Sequence, residues 1–278
     1  MITEQLQKKI DRAVKLLQSV ANGYDGEIEV AYSGGKDSDV ILQLAKESGI
    51  RYRAIYKNTT IDPPGTLKHV RDMGVEVIRP KQSFFQIVAD NGFPNQFMRF
   101  CCRFLKECKV CDKCIVGVRK AESRARAERY DEPTKCKGTK ENPWEQIYPI
   151  LDWTDEDVRD FILDRGIRLA PVYYDADGAL HTERRLGCMC CPLASKNKRI
   201  AQFKQYPNMV KAYIRAGQKF RDTHPNAKTL TEYASVYEWF VRDVFYDSQE
   251  KWEMTKGGLF DEEIDYKAFI EKQFNITL

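Results

Sequence analysis

Ala31-Tyr32-Ser33-Gly34-Gly35-Lys36-Asp37-Ser38 is the most informative stretch of this 278-residue chain. An apolar run, Ile28 to Tyr32, precedes the glycines, and apolar residues recur at helical spacing over 40–45. This order predicts a strand, a tight loop and a helix. The loop therefore lies at the amino end of a helix, where outward-pointing backbone amides favour an anion.

The loop residues suit a phosphate group. Gly34 and Gly35 allow close approach of the backbone, Lys36 adds a positive charge that we expect to be exposed, and Ser33 and Ser38 offer hydroxyls. The spacing matches neither the Walker A loop nor the G-x-G-x-x-G dinucleotide motif. An ordinary Gly-Gly turn would explain the glycines but not the lysine and both serines, so we predict a phosphate-binding loop of another kind.

Further apolar runs predict a sheet. Strands are expected at Ile28–Tyr32, Tyr52–Tyr56, Val75–Ile78, Ile115–Val118 and Ile147–Leu151, with helices between them. Strands that alternate with helices form parallel sheets through right-handed crossovers. The predicted fold class is α/β, with a five-stranded parallel sheet and helices on both faces.

A helical subdomain is expected to follow the sheet. Helical patterns cover Tyr206–Phe220 and Thr231–Phe245, and their aromatic residues are expected in the core rather than stacked on bases. We place residues 1–195 in a nucleotide-binding domain with a cysteine-cluster insertion, and residues 196–278 in the helical C-terminal subdomain.

Composition limits the class of protein. The hydrophobic content of 42% suffices for a core, and no apolar run approaches the roughly 20 residues of a membrane span. The N-terminal segment carries charges throughout, unlike a secretory signal. We expect a globular cytoplasmic protein with no membrane partner, whose nine cysteines are metal ligands or reactive thiols rather than disulfides.

The net charge of +4 conceals a segregation of charge. Residues 99–140 hold 13 Lys and Arg against 6 Asp and Glu, and residues 181–228 hold 11 against 2. Solvated surfaces would explain such runs, but both contain cysteines, and we expect folding to bring them around one opening. They indicate an anionic substrate larger than a nucleotide, such as DNA or another nucleic acid, with Lys196, Lys198 and Arg199 on its binding surface.

The cysteines fall into three places along the chain. They are Cys101 and Cys102; Cys108, Cys111 and Cys114, with Cys136 further on; and Cys188, Cys190 and Cys191. Two-residue spacers let two thiolates reach one metal, so the group at 108–114 indicates a metal site. Spacing does not distinguish zinc from iron. Cys190 is interpreted as a buried thiol without a ligand.

These motifs together resemble the phosphoadenosine phosphosulfate (PAPS) reductase family of the adenine-nucleotide alpha-hydrolase superfamily. Ser33–Ser38 resembles its PP-loop, and the resemblance covers roughly residues 27 to 195 in the family's order. The other similar motifs are Cys101-Cys102, Gly117-Val118-Arg119, Asp152-Trp153-Thr154, Pro171-Val172-Tyr173, Gly187-Cys188 and Cys191-Pro192.

The resemblance implies that the chain binds ATP or an adenylyl sulfonucleotide and acts at the phosphate nearest the adenosine. Lys36 and the loop amides would hold the phosphates together with Mg²⁺, aided by Asp37 or Asp62. Arg119 and Arg126 would close over the phosphates, so Lys36, Asp37, Arg119 and Arg126 are the predicted catalytic residues. Asn58, Thr59, Thr60 and Asp62 follow the second strand, where the family has its second nucleotide-facing loop; a polar Pro-Gly turn is the alternative.

Cys101, Cys102, Cys188 and Cys191 resemble the [4Fe–4S] ligands of the iron–sulfur subgroup of this family. Two assignments stay open. Either these four hold the cluster while Cys108, Cys111, Cys114 and Cys136 hold Zn²⁺ or a second cluster, or the compact group at 108–114 supplies the only metal site.

The resemblance leads to three functions. Reductases of this family use a cysteine in a C-terminal tail, whereas the last cysteine here is Cys191. We therefore expect an ATP pyrophosphatase that activates nucleic acid for sulfur transfer, similar to DNA phosphorothioation proteins of the DndC and SspD type, with a cysteine desulfurase or other sulfur donor protein as partner. A sulfonucleotide reductase and a non-catalytic nucleotide or nucleic-acid binding protein are the alternatives, and a homodimer is left open.

Overall fold

The computed structural model describes residues 2–138, 143–245 and 264–278. The chain divides into two compact units. Unit 1 comprises Met1–Asn58, Asp62–Arg79 and Cys108–Gly187, and unit 2 comprises Thr59–Ile61, Pro80–Glu107 and Cys188–Leu278. This division differs from the expected boundary at residue 195, because residues 80–107 belong with the C-terminal helices.

The described residues of unit 1 contain a six-stranded sheet in the order β3-β2-β1-β4-β6-β5. The strands are β1 (Ile28–Tyr32), β2 (Tyr52–Lys57), β3 (Glu76–Ile78), β4 (Lys113–Ile115), β5 (Thr134–Gly138) and β6 (Pro143–Ile147). Neighbouring strands are parallel except for β5, which pairs antiparallel with β6 at the sheet edge.

The α/β class is therefore confirmed, but the predicted number of five strands is wrong. The sixth strand, β5, has the sequence Thr-Lys-Cys-Lys-Gly. An edge strand exposes much of its surface and needs no apolar run, so the pattern that marks buried parallel strands is missing here.

Twelve α-helices are present in the described residues. They are α1 (Glu4–Ala21), α2 (Lys36–Ser48), α3 (Thr66–Asp72), α4 (Phe84–Asn91), α5 (Phe100–Leu105), α6 (Arg124–Arg129), α7 (Asp155–Asp164), α8 (Lys196–Gln205), α9 (Pro207–Thr223), α10 (Thr229–Glu232), α11 (Val236–Trp239) and α12 (Tyr266–Phe274). In these parts of the chain, no helix combines the length and the apolar character that crossing a membrane requires.

The core of unit 1 joins β1 to its helices. Ile28, Val30 and Tyr32 are buried at alternate positions of β1, in one cluster with apolar residues of α1, α2 and α7. Thr3 caps α1 by accepting a hydrogen bond from the amide of Leu6. Alternation places Glu29 on the opposite face of β1, where it is also fully buried.

Unit 2 has an aromatic core. Phe203 and Phe240 meet edge to face at 5.5 Å, and Trp239 is 3% exposed, so the expectation of core aromatics is confirmed for these residues. The single helix expected over Thr231–Phe245 is wrong. Tyr233 adopts an extended conformation, and Ser235 starts α11 by accepting from the amide of Glu238, because serine competes well for amides at a helix start.

Candidate nucleotide site and cysteine site

The PP-loop, Ser33–Ser38, connects β1 to α2 in unit 1. Gly34 has a φ of +77°, in the left-handed region that favours glycine, and Gly35 is the N-cap of α2. Gly35 offers no capping side chain, and the amides of Lys36 and Ser38 donate to the Tyr173 hydroxyl and the Gly35 carbonyl. The strand–loop–helix predicted from the sequence is confirmed.

Close packing holds this loop in place. A Cβ at Gly34 would lie 3.1 Å from Thr66 Cγ2, and one at Gly117 would lie 2.9 Å from the backbone oxygen of Asp37. The Ser38 hydroxyl donates to the Gly35 carbonyl at 2.6 Å. The segment after β4 can therefore approach the start of α2 only because residue 117 is glycine.

Lys36 is 5% exposed, so the expectation that its side chain is exposed is wrong. Its amide donates to the Tyr173 hydroxyl at 3.0 Å, and the same hydroxyl accepts from the Leu186 amide at 3.4 Å. Burial raises the pKa of Tyr173, which keeps the phenol protonated. Tyr173 therefore positions the backbone of Lys36 and Leu186. It lies in the Pro171-Val172-Tyr173 motif, but the sequence alone suggested no role for it.

Arg119 is 1% exposed and makes three contacts within unit 1. Its Nε donates to Asp37 at 2.6 Å, Nη2 to Asp155 at 2.7 Å and Nη1 to the Trp153 carbonyl at 3.3 Å. Burial lowers the pKa of Arg119, but the two carboxylates outweigh it and raise the pKa, so the guanidinium stays charged. The expected phosphate contact of Arg119 is thus corrected: the residue orients Asp37 beside the PP-loop.

Arg126 lies at the surface on α6. It forms an ion pair with Glu122, to which Arg185 also donates at 3.1 Å. Its side chain is 35% exposed, so Arg126 keeps a geometry in which it can turn to a phosphate. Arg185 was not singled out from the sequence, although the basic run it belongs to was visible.

The predicted second nucleotide loop is divided between the units. Asn58 and Asp62 belong to unit 1, where Asp62 accepts a hydrogen bond from the Tyr56 hydroxyl. Thr59 and Thr60 belong to unit 2, and Thr59 lines the cysteine cavity of that unit. The nucleotide contact expected for these four residues stays a prediction.

A buried polar network lies on α2 just after the loop. The Tyr32 hydroxyl donates to Asp39, and His69 Nε2 lies 2.8 Å from that hydroxyl and 3.1 Å from Asp39 Oδ1. Asp39 is 0% exposed, and burial raises the pKa of its carboxyl. None of these three residues was given a role from the sequence, because His69 reaches Asp39 and Tyr32 across 30 and 37 residues.

Unit 2 contains a cavity of about 330 Å³, including its open side. The four cysteines expected to hold an iron–sulfur cluster all line it: Cys101, Cys102, Cys188 and Cys191. Ile61, Phe84 and Leu105 are among the other residues that line it. Cys190 does not line it and is 1% exposed, so its expected burial is confirmed, and burial raises the pKa of this thiol to about 12.

Two loops with unusual backbone carry this cavity. Thr60 has a φ of +64° and Cys190 a φ of +53°, a region that non-glycine residues seldom adopt. The loops are joined by a hydrogen bond from the Met189 amide to the Ile61 carbonyl at 2.8 Å, and the Cys188 thiol donates to Thr59 Oγ1 at 3.6 Å. Such strained positions gather at functional sites.

The thiols of α5 already interact. A hydrogen bond from the Cys101 thiol lowers the pKa of Cys102, with help from Lys106 and Arg99. The same hydrogen bond, burial and the charges of Cys102 and Cys191 raise the pKa of Cys101. No three His, Cys, Asp or Glu side chains in the described ranges are already arranged around a metal position. Four cysteines on one largely apolar cavity nevertheless fit a thiolate-bound cluster.

The second proposed set of metal ligands includes cysteines on opposite faces of the sheet. Cys136 and Lys113 both pair with Glu145 of β6, so they share one face of the sheet. Cys114 follows Lys113 and therefore points to the opposite face. Strand alternation thus separates Cys136 from Cys114, and the expectation of one site made from Cys108, Cys111, Cys114 and Cys136 is corrected.

Comparison with known families identifies the family of this domain. A sequence profile of the phosphoadenosine phosphosulfate reductase domain matches residues 27–194, which include the PP-loop and all the cysteines. The chain belongs to the phosphoadenosine phosphosulfate reductase domain family. The two cysteine groups and Arg119 therefore lie inside the family domain.

Two curated relatives are similar to this chain. An uncharacterised protein of Methanocaldococcus jannaschii is 26% identical over 78% of this chain and 54% of its own length. An uncharacterised 37.8 kDa protein of Escherichia phage 186 is 29% identical over 66% of this chain and 60% of its own length. The chain thus spans little more than half of the length of these relatives.

Several solved structures are distantly similar. They include a PAPS reductase from Candida auris in a phosphate complex (TM-score 0.43, 13% identity, 61% of this chain and 90% of that one). The U34-tRNA thiolase NcsA from Methanococcus maripaludis with its [4Fe–4S] cluster has a TM-score of 0.42 and 15% identity, over 80% of this chain and 82% of that one. Likeness at this level carries no conclusion about the reaction.

Proposed function

We propose that this member of the PAPS reductase domain family is an ATP pyrophosphatase that activates a nucleic acid for sulfur transfer. The observation that carries the proposal is the surface beside the cysteine pair. Phe97 is 95% exposed, Met98 59% and Phe104 49%. The cations of the same segment, Arg99, Arg103 and Lys106, are exposed too.

This combination suits a single-stranded nucleic acid. Exposed aromatic rings stack on bases, and neighbouring cations attract the phosphates. The Arg103 guanidinium lies over the Phe104 ring, 5.3 Å from its centre. A positive charge and an aromatic ring are therefore adjacent on this surface. A lone nucleotide would need few of these groups, so the surface supports a longer anionic substrate.

The expected binding surface on α8 needs one correction. Arg199 is 1% exposed, and its Nη1 donates to the Pro192 carbonyl at 3.3 Å. It therefore supports the loop that carries Cys191. Lys198 is exposed and Lys196 half-buried, so these two remain on the proposed nucleic-acid surface.

The PP-loop of unit 1 supplies the activation chemistry in this scheme. An oxygen of the nucleic acid attacks the α-phosphorus of ATP, pyrophosphate leaves, and the oxygen carries AMP. Lys36 would stabilise the charge that develops on the phosphates, and Asp37 or Asp62 would hold Mg²⁺. Arg119 holds Asp37 in place for this role.

Sulfur then displaces AMP from the activated position. Cys101, Cys102, Cys188 and Cys191 would hold the iron–sulfur cluster, and Lys106 beside them balances thiolate charge. A bound cluster would supply an iron atom that can bind the incoming sulfur. A cysteine desulfurase or other sulfur donor protein would deliver the sulfur atom.

Pyrophosphate release tests this proposal. The anaerobically purified chain with Mg²⁺ and ATP should release pyrophosphate faster when single-stranded nucleic acid is added. Phe97→Ala should weaken nucleic-acid binding by about 1–3 kcal/mol. Leu163→Ala, at another exposed apolar residue, is the control and should bind normally. Absence of nucleic-acid binding even at low salt would contradict the proposal.

The family match favours one second candidate, a sulfonucleotide reductase. Such an enzyme would release sulfite from PAPS or adenylyl sulfate in the presence of a thiol, without ATP. Sulfite release combined with no pyrophosphate release from ATP would replace the first proposal with this one.

A further inference from the structure

Glu29 is a buried carboxylate in the middle of the sheet of unit 1. It lies on β1 and is 0% exposed, and neither of its oxygens accepts a hydrogen bond of good geometry. Lys57 Nζ stands 2.8 Å from Oε1 as its ion-pair partner. A buried carboxylate is costly unless it is paired and fully hydrogen-bonded or binds a metal, and Glu29 is only paired.

Thiols face this carboxylate. Glu29 pairs with Cys114 in the β1–β4 register, so both side chains point to the same face, and Cys114 is 2% exposed. Cys111 lies two residues before β4 and is half-buried.

The segment that carries the remaining cysteine is tied to the same place. Lys57 Nζ donates to the Cys108 carbonyl at 2.6 Å while it pairs with Glu29. One ammonium group therefore holds the backbone at Cys108 close to the buried carboxylate. Cys108 itself is exposed, so its side chain can turn without opening the core.

We propose that Glu29, Cys108, Cys111 and Cys114 bind one structural Zn²⁺ ion in unit 1. Three thiolates and one carboxylate complete a tetrahedral zinc site, and the two-residue spacers suit it. Each thiol releases its proton to solvent as it binds, and no redox step is involved. In the described residues these side chains do not yet surround one metal position, so binding closes the 108–112 segment onto Glu29.

The same geometry argues against a second iron–sulfur cluster here. A cubane cluster takes four thiolates, and the only other cysteine of unit 1, Cys136, points to the opposite face of the sheet. A carboxylate as the fourth ligand is ordinary for zinc. This inference does not depend on the proposed sulfur-transfer reaction.

Elemental analysis and cobalt substitution of the full chain test the site. The wild-type chain should hold one zinc per chain in addition to any iron, and Co²⁺ should give thiolate charge-transfer absorption. Glu29→Gln and Cys111→Ser should weaken Co²⁺ and Zn²⁺ binding on the order of tenfold or more. Cys136→Ser is the matched control and should bind as the wild type does.

Alkylation of the wild-type chain tests the site without any variant. Cys108 and Cys111 should resist a thiol alkylating reagent when zinc is present and react after a chelator removes it, as read by mass spectrometry of each peptide. Equal reactivity with and without zinc overturns the proposal. Unchanged metal affinity in Glu29→Gln, or loss of zinc in Cys136→Ser, overturns it as well.

Discussion

The PP-loop of unit 1 and the cysteine cavity of unit 2 are built by different means. Around the loop, the polar groups already hold one another: Lys36 by its amide to Tyr173, Ser38 to Gly35, and Asp37 to Arg119. The cavity has a largely apolar wall, with thiols that repel one another once ionised. The loop is held in place by contacts within the protein, whereas a site made from thiols is completed by its ligand.

Replacement of Lys36 in the PP-loop should cause the largest loss of activity. Lys36→Ala removes a positive charge beside the phosphates and should lower ATP turnover on the order of 100- to 1000-fold, as measured by pyrophosphate release. Lys36→Met keeps the buried stem and should lose as much activity while melting like the wild type. Lys68→Ala, at an exposed ion pair, is the control, and equal activity of Lys36→Ala and wild type would remove the PP-loop from the reaction.

Removal of a cysteine from the cavity of unit 2 should lower the metal content of the protein. Anaerobically purified wild type should be brown and contain iron. Cys191→Ser should lose most of it, because one of four ligands is missing. Cys190→Ser should keep the iron, since this thiol faces the core rather than the cavity. Zinc without iron in the wild type would assign these four cysteines to a zinc site instead.

The closeness of Gly117 to α2 offers a smaller effect that is specific to the preformed site. Gly117→Ala should push against the Asp37 carbonyl, at a cost of about 1–3 kcal/mol in the free energy of unfolding, and should weaken ATP binding. Gly187→Ala meets no heavy atom within 4 Å and should change neither quantity. Denaturant unfolding and ATP titration measure the pair, and identical behaviour would show that the loop tolerates movement.

The buried Asp39 is expected to make the free energy of unfolding depend on pH. Burial raises the pKa of this carboxyl, so its stabilising contribution is complete below its unfolded pKa of about 3.9 and is lost as pH rises through its folded pKa. Asp39→Asn cannot ionise and should show a shallower fall in stability from pH 4 to neutrality, by at most about 1.4 kcal/mol per pH unit. Asp177→Asn, on an exposed turn, should follow the wild type, and an unchanged slope in Asp39→Asn would contradict the role of burial.

The sequence predicted structural features that depend on residues close together in the chain. The strand, loop and helix around Gly34 follow from local pattern. Contacts between distant positions were not predictable: Tyr173 reaches Lys36 across 137 residues. The spacing of Cys108, Cys111 and Cys114 was informative, but the face on which Cys136 lies depends on the register with β6, which no local pattern contains.

The sequence identified the residues of the candidate sites more reliably than it identified their roles. Lys36 and the four cavity cysteines were named from their motifs. Arg119 was named too, but burial changed its role from phosphate contact to support of Asp37. Arginines in a basic run look alike in a sequence, and only packing separates Arg119 and Arg199 from those that face solvent.

The interleaving of the two units along the chain has a consequence for biosynthesis. All segments of unit 1 have been translated by Gly187, whereas the aromatic core of unit 2 needs both Phe84 and Phe240. Residues 80–107 must therefore wait, with their apolar side chains uncovered, until about fifty residues after the last cysteine have left the ribosome. A nascent chain stalled in this interval would depend on a chaperone, and no single cut in the gene yields unit 2 as a separate product.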